Sequence, residues 1–335
     1  MRARCRILTE LALYPMRFEP IFQYRLWGGR RLSNLLSGPM PEGPVGEAWI
    51  LSDRDEHRSR VANGPLKGRT LSELMEHSYE GLMGKRPKRF QRFPVLLKFL
   101  DASMMLSVQV HPGDNHPELI PAGETSKTEA WVVIEAQEGS RIYAGLQPGT
   151  TETNLRHAIT TGAIVDRLVG LDAKPGEAIF IPAGKVHTLG GGVVVFEVQQ
   201  NSDVTYRLYD WGHVDAKTGQ LRSLQVDQAL ACIDFKGITG CEVAPILETN
   251  TPVERERLFD CDQFRLWRLR GTVPFLVGAS GEPRVMVCLS GSGQLDNNAL
   301  HLVGKGDVWI LPAEIGVCTF LPAVEVTLLE IAIPE

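Results

Sequence analysis

Lys174-Pro-Gly-Glu-Ala-Ile-Phe-Ile-Pro-Ala183 resembles Lys305-Gly-Asp-Val-Trp-Ile-Leu-Pro-Ala313 when Gly176 is laid on Gly306 and Pro182 on Pro312. Each copy reads as a Gly-acid turn, a buried strand and a Pro-Ala turn. Ahead of the second copy, Val285-Met-Val-Cys-Leu-Ser-Gly-Ser-Gly293 is a further strand ending in a turn. A unit met twice implies two related β-barrels, the second starting near residue 250. At the same distance from the turn, His187 of the first copy corresponds to Val317 of the second. The second barrel is therefore expected to be metal-free and to cover strand edges of the first.

The rest of the chain agrees with a mainly β fold. Short β-type runs such as Ala48–Leu51, Val95–Leu100, Leu106–Val110, Trp131–Ile134 and Val193–Val198 are punctuated by Gly, Pro and Asp. Two helical pieces interrupt them. Thr70-Leu-Ser-Glu73 is a capping box, followed by a helical stripe of Leu71, Leu74, Met75 and Leu82, so residues 70–83 are expected to be helical. Residues 152–169 also read as helix, from Asn154 to Val169 by periodicity, with Gly162 as a breaker. The expected organisation is an N-terminal extension over 1–19, a first barrel over 20–249 and a second over 250–335.

With 335 residues the chain can bury two such cores. Its net charge of -5 supplies no basic field for nucleic acid or a membrane surface, which points to a small-molecule ligand. No run approaches the roughly 20 apolar residues of a membrane span. Cysteines 5, 232, 241, 261, 288 and 318 form no CxxC pair and read as reduced, mostly buried thiols of a cytoplasmic protein. The basic start before Glu10 reads as a frayed extension rather than a signal peptide. A monomer or weak homodimer is expected.

Gln109-Val110-His111-Pro112, Glu129 and His187 carry the chemistry. Gln109 and His111 are two apart, so on a strand they point the same way. Glu129 sits in a second strand-like run, Lys127-Thr-Glu-Ala-Trp-Val-Val-Ile134, and His187 lies just past the end of a third. Two imidazoles, an amide oxygen and a carboxylate suit Zn²⁺ or another divalent first-row metal with open positions for substrate. His116 lies beyond Pro112 and Gly113 in a turn and is read as a non-ligand. His57, His77, His157, His213 and His301 are expected to be ordinary surface residues.

Gly176 to His187 reads G-x5-P-x-G-x2-H, which is similar to the second signature of cupin barrels. From Pro20 to about Asp215 the chain resembles the short bacterial form of type I mannose-6-phosphate isomerase. The resemblance rests on Trp27-Gly-Gly29, Gly46-Glu-Ala-Trp49, Pro94-Val-Leu-Leu-Lys98, Leu106-Ser-Val-Gln-Val-His-Pro112, Lys127-Thr-Glu-Ala-Trp131, Pro182-Ala-Gly-Lys-Val-His187 and Gln199-Gln-Asn-Ser-Asp-Val-Thr-Tyr-Arg207. Beyond about residue 250 only general cupin character matches. The resemblance implies two cupin-type (jelly-roll) barrels, one Zn²⁺ held by Gln109, His111, Glu129 and His187, and family roles for Lys98, Lys127 and Arg207. It also implies proton transfer between C2 and C1 of mannose 6-phosphate and fructose 6-phosphate through a cis-enediol.

That chemistry needs a base near the C1 and C2 protons, and the sequence leaves metal-bound water, Lys127, Glu47 and Asp203 open. Lys127 shares the strand face of Glu129, so it is expected to point inward. Arg207 offers a planar fork to the enediolate or the phosphate, with Thr205 and Tyr209 on the same face. Lys98, in an apolar run, must meet either substrate phosphate or a neighbouring Glu. Trp27 either lines the sugar pocket or fills core. Two rival functions remain open: a cupin dioxygenase using Fe²⁺, for which Gln109 is a poor ligand, and a non-catalytic sugar-phosphate binder. Intact Lys127, Glu129, His187 and Arg207 speak against the second.

Overall fold

The structure, a computed structural model, describes residues 12–85, 88, 90–236 and 242–333. It is mainly β, with 43% strand and 14% helix. Four antiparallel sheets carry the fold. A six-stranded sheet runs, in spatial order, Ala178–Ile181, Glu129–Ala136, Val193–Gln200, Val95–Ala102, Ile21–Gly29 and Val45–Leu51. A five-stranded sheet faces it: Leu168–Asp172, Arg141–Leu146, His187–Leu189, Val108–Val110 and Tyr206–Tyr209. The second half repeats the arrangement. Its seven-stranded sheet runs Met16–Arg17, Val308–Leu311, Arg284–Ser290, Val326–Ala332, Arg265–Gly271, Glu254–Asp260 and Ile246–Thr249. Opposite it stands a four-stranded sheet of Phe275–Gly278, Val317–Pro322, Ser292–Asp296 and Leu300–Gly304.

The repeat seen in the sequence is a repeat of structure. Ala178–Ile181 and Val308–Leu311 each follow a turn whose glycine, Gly176 or Gly306, has positive φ (87° and 85°), a conformation that disfavours any other residue. His187–Leu189 and Val317–Pro322 then begin at equivalent distances. Strand pairing closes no hydrogen-bonded ring among the described residues. Each half is a pair of facing sheets.

The strands that alternate in neither direction explain how the halves meet. In Val193–Gln200 every residue but the last is buried. Val193 and Val195 pack toward the five-stranded sheet with Trp131, Ile142 and Leu189. Val194, Phe196 and Val198 face the other way, into a core shared with Val285, Val287, Leu329 and Ile331 of the seven-stranded sheet. A strand buried on both faces reads as a continuous apolar run. The layers therefore run five-, six-, seven- and four-stranded. The second half covers a whole face of the first, not its strand edges as expected, because apolar residues on both backs have only each other to remove them from water.

Three further expectations change. Residues taken as a loose extension are core from Leu13 on: Met16 pairs with Ile310, and Leu13, Met16 and Phe18 are buried. The second half also begins earlier than 250, since Ile246–Thr249 already pairs with Glu254–Asp260. The helix expected to reach Val169 spans Glu152–Thr161 and ends at Gly162 in the left-handed region; a 3-10 turn Ile164–Arg167 follows, and Leu168–Asp172 is strand. The capping box forms as read: Glu73 N donates to Thr70 Oγ1 at 3.2 Å, and Thr70 N donates to the Glu73 carboxylate at 2.7 Å. Its helix Leu71–His77 continues, after Ser78, in Tyr79–Met83. Cys232, Cys261, Cys288 and Cys318 are free thiols; Cys5 and Cys241 lie outside the described residues.

Candidate active site and metal centre

Strand register assembles the site across the two sheets of the first half. In the five-stranded sheet, Gln109 sits between His187 on one side and Arg207 on the other. In the six-stranded sheet, Glu197 sits between Lys98 and Trp131, and Glu129 stands two residues from Trp131 on the same strand face. The two rungs look at each other.

His111, Glu129 and His187 are buried, and one ligand atom from each lies within 4.8 Å of the others. His187 Nε2 is 3.2 Å from Glu129 Oε1, and His111 Nε2 is 3.3 Å from Glu129 Oε2. Each histidine donates its Nδ1–H to a backbone carbonyl: His111 to Val204 O and His187 to Lys185 O, both at 2.8 Å. That fixes the tautomer and turns an Nε2 lone pair toward the carboxylate. The Nε2 lone pairs then face the buried Glu129 oxygens, whose one ammonium partner among the described residues is Lys127. A divalent cation resolves this arrangement, so the donor set fits a metal. The Gln109 carboxamide lies 3.2 Å from His187 Nε2, where a half-turn of the amide presents its oxygen as the fourth donor. Burial, aided by the Lys127 ammonium, holds His111 down at about 3, in the neutral form that ligates.

Lys127 points inward, with its Nζ 3.1 Å from both Glu129 Oε2 and His111 Nε2. Next to this group a cavity of about 470 Å³ opens, lined among others by Trp27, Glu47, Lys98, Gln109, Lys127, Asp203 and Arg207. All the residues named from the sequence thus border one space or the metal group beside it. Trp27 does both things considered for it: it lines the cavity and is 3% exposed within the core of this half.

The details correct several roles. Lys98 finds a carboxylate partner in the protein, Glu197 Oε1 at 3.3 Å, with Glu47 Oε2 at 4.0 Å. Glu47 is occupied: Arg25 donates Nε–H to Oε1 at 2.8 Å and Nη2–H to Oε2 at 3.2 Å, while Trp49 donates to Oε2 at 2.6 Å. Burial pushes its carboxyl up, but Arg25 and Lys98 outweigh this and hold it at about 2, too weak a base to take a carbon-bound proton. Asp203 is exposed at the rim. Thr205 and Arg207 line the cavity, but Tyr209 does not share their face. A bulge between Arg207 and Tyr209 shifts the register, and Tyr209 packs with Leu208 and Trp211 behind the sheet. Neither Asp203 nor Asp210 forms an ion pair with Arg207: Asp210 pairs with Arg222, and Arg207 Nε is buried without a partner.

Two contributors escaped the sequence reading. Glu197 lies in the apolar run Val193-Val-Val-Phe-Glu-Val198, where a lone carboxylate on a buried strand was the available signal. Trp131 Nε1 donates to it at 2.8 Å, and burial raises its carboxyl above the usual range. Arg222 also lines the cavity, from a polar loop whose composition gave no signal.

The chain is similar to known proteins over most of its length. Residues 16–140 match the family model of the phosphomannose isomerase type I catalytic domain. The chain is 35% identical over 312 residues to the mannose-6-phosphate isomerase ManA of Bacillus subtilis, covering 90% of this chain and 94% of that one. It is 34% identical over 306 residues to the mannose-6-phosphate isomerase of Streptococcus mutans, with 88% and 92% covered. The crystal structure of a Bacillus subtilis mannose 6-phosphate isomerase superposes with a TM-score of 0.87 at 30% identity, over 95% of this chain and 99% of that one.

Proposed function

This chain belongs to the type I mannose-6-phosphate isomerases, and from that premise we propose how its cavity interconverts D-mannose 6-phosphate and D-fructose 6-phosphate. The reaction moves a proton between C2 and C1 while negative charge gathers on O1 and O2. Gln109, His111, Glu129 and His187 would hold one divalent cation, Zn²⁺ in this reading, which when bound polarises those oxygens. Mixed nitrogen and oxygen donors without thiolate, and a reaction without redox change, support that metal.

The chain's own groups do the rest. Glu197 takes the proton from one carbon and returns it to the other: it lines the cavity, is buried, and burial raises its carboxyl above the ordinary value. Lys98 and Trp131 hold that carboxylate in place. Lys127 orients Glu129 and carries a proton donor to the edge of the sugar-binding space. Arg207, with no protein anion on its guanidinium, meets a negatively charged group of the substrate. The chemistry belongs to the first half, whose two facing sheets run between Ile21 and Tyr209, and the second half serves as its support. No described helix is long and apolar enough to cross a membrane, and free thiols at Cys232, Cys261, Cys288 and Cys318 support a reducing, cytoplasmic setting.

One observation carries this reading: buried ligand atoms of His111, His187 and Glu129 converge within 4.8 Å of one another beside a cavity lined by Lys127 and Arg207. A coupled assay of mannose 6-phosphate isomerisation tests it. Metal-loaded protein should turn over, a chelated sample should not, and Zn²⁺ should restore the chelated one. A metal-loaded, folded protein without turnover would refute it.

A further inference from the structure

We propose that Arg222, positioned by Asp210, reads the substrate phosphate at the cavity mouth and so sets the preference for phosphorylated over free sugar. This rests on the mannose-6-phosphate reading and adds a residue to it.

Arg222 sits on an excursion of the chain that leaves the cavity wall after Tyr206–Tyr209 and returns beside it. Val214 bridges Leu221, and Asp215 N donates to Gln220 O at 2.9 Å, so the excursion folds back as a hairpin. Its return is stapled to the wall: Gln225 N donates to Arg207 O at 2.9 Å, and Arg207 N donates to Gln225 Oε1 at 3.3 Å. Near its tip, Lys217 Nζ lies 3.6 Å from the ring centroid of Tyr24, another residue of the cavity wall. The hairpin is exposed along most of its length, yet it delivers Arg222 to the cavity.

Asp210 is buried and takes two hydrogen bonds from Arg222, from Nε at 2.8 Å and from Nη2. A guanidinium held along that edge keeps its other edge, Nη1 and Nη2, free for a second bidentate acceptor. Arg207 borders the same cavity with no counter-ion of its own. Burial and repulsion from Arg222 both disfavour the Arg207 charge, which an arriving dianion would relieve. Arg207 is opposite Gln109 and so adjoins the metal group, whereas Arg222 is carried by the largely exposed hairpin. A hexose phosphate with C1 and C2 at the metal group carries its phosphate at the other end, toward Arg222.

The test compares wild type with Arg222→Gln on mannose 6-phosphate and on free mannose, and measures binding of inorganic phosphate by calorimetry. KM for mannose 6-phosphate should rise at least about tenfold with kcat within about twofold, as expected for loss of a charge-assisted contact made equally before and during reaction. Phosphate affinity should fall by the same factor, and kcat/KM for free mannose should stay put. Asp210→Asn should move the same quantities less far. Unchanged phosphate affinity, or parallel losses on both sugars, would overturn the proposal. Metal content and melting report on folding; if Arg222→Gln does not fold, Arg222→Lys decides by the same KM and phosphate readouts. A wild type that ignores mannose 6-phosphate but binds phosphate through Arg222 would instead refute the parent reading.

Discussion

Arg284 stands on the rung of the second half that Glu129 occupies in the first. Glu129 pairs with Ile181 and Arg284 with Leu311, and these partners hold equivalent places after Gly176 and Gly306. Around Arg284 the equivalence continues. Val317 pairs with Gly278 where His187 pairs with Gln109, and Glu330 pairs with Trp267 where Glu197 pairs with Lys98. The second site has kept a buried carboxylate and put a guanidinium where a cation would need an anion. Glu330 is satisfied within the protein, by Arg255 Nη1 and Gly278 N, both at 2.7 Å.

Anomalous scattering at the zinc edge should therefore show one peak per chain, among Gln109, His111, Glu129 and His187. Substituting His187→Ala should abolish metal retention on gel filtration while far-UV circular dichroism stays native. A peak beside Glu330, or a fully metal-loaded His187→Ala protein, would contradict the assignment.

Arg207→Lys should keep the charge and lose the planar fork. If the contact forms mainly in the transition state, kcat falls by more than KM rises. If it grips the phosphate throughout, KM rises alone. Wild-type kinetics with a lowered melting temperature would assign Arg207 to the fold.

Glu47 should leave a signature in acid. Its carboxyl is held at about 2 against an ordinary value of 4.5, so the group stabilises the fold fully above 4.5 and loses that contribution as pH falls toward 2. Urea midpoints of wild type and Glu47→Gln should differ most above this window and converge within it. Parallel pH profiles would show that Arg25 and Lys98 do not hold Glu47 as drawn.

Thr70→Ala removes one half of the capping box at Leu71–His77 and should cost about 1 kcal/mol, seen as a lower urea midpoint with unchanged kinetics on sugar phosphate. A change in KM would show that this helix is coupled to the cavity.

Much of the site was legible because strand period and motif spacing act locally. Gln109 and His111 share a face by being two apart, Lys127 follows Glu129 inward, and Gly176 marks the turn before the strand that leads to His187. What escaped depended on partners distant in sequence. Whether Lys98 met phosphate or carboxylate turned on Glu197, which lies on a neighbouring strand. Tyr209 left its expected face because of a bulge that alternation cannot reveal. The apolar character of Val193–Val198 announced burial on both sides but not that the second face would be another half's sheet.

The pairing of Met16–Arg17 with Val308–Leu311 has a consequence for synthesis. Arg17 and Asp307, joined by a 3.2 Å ion pair, are 290 residues apart. At about 5–20 residues per second, this strand waits on the order of 15–60 seconds at the ribosome before its partner exists. From the time residue 198 is made, the back of the six-stranded sheet, including Phe99, Phe196 and Val198, also lacks its cover until Val285 and the strands after it follow. The nascent chain can assemble the strands of the first half early, but their apolar back must be shielded from its neighbours until the second half arrives.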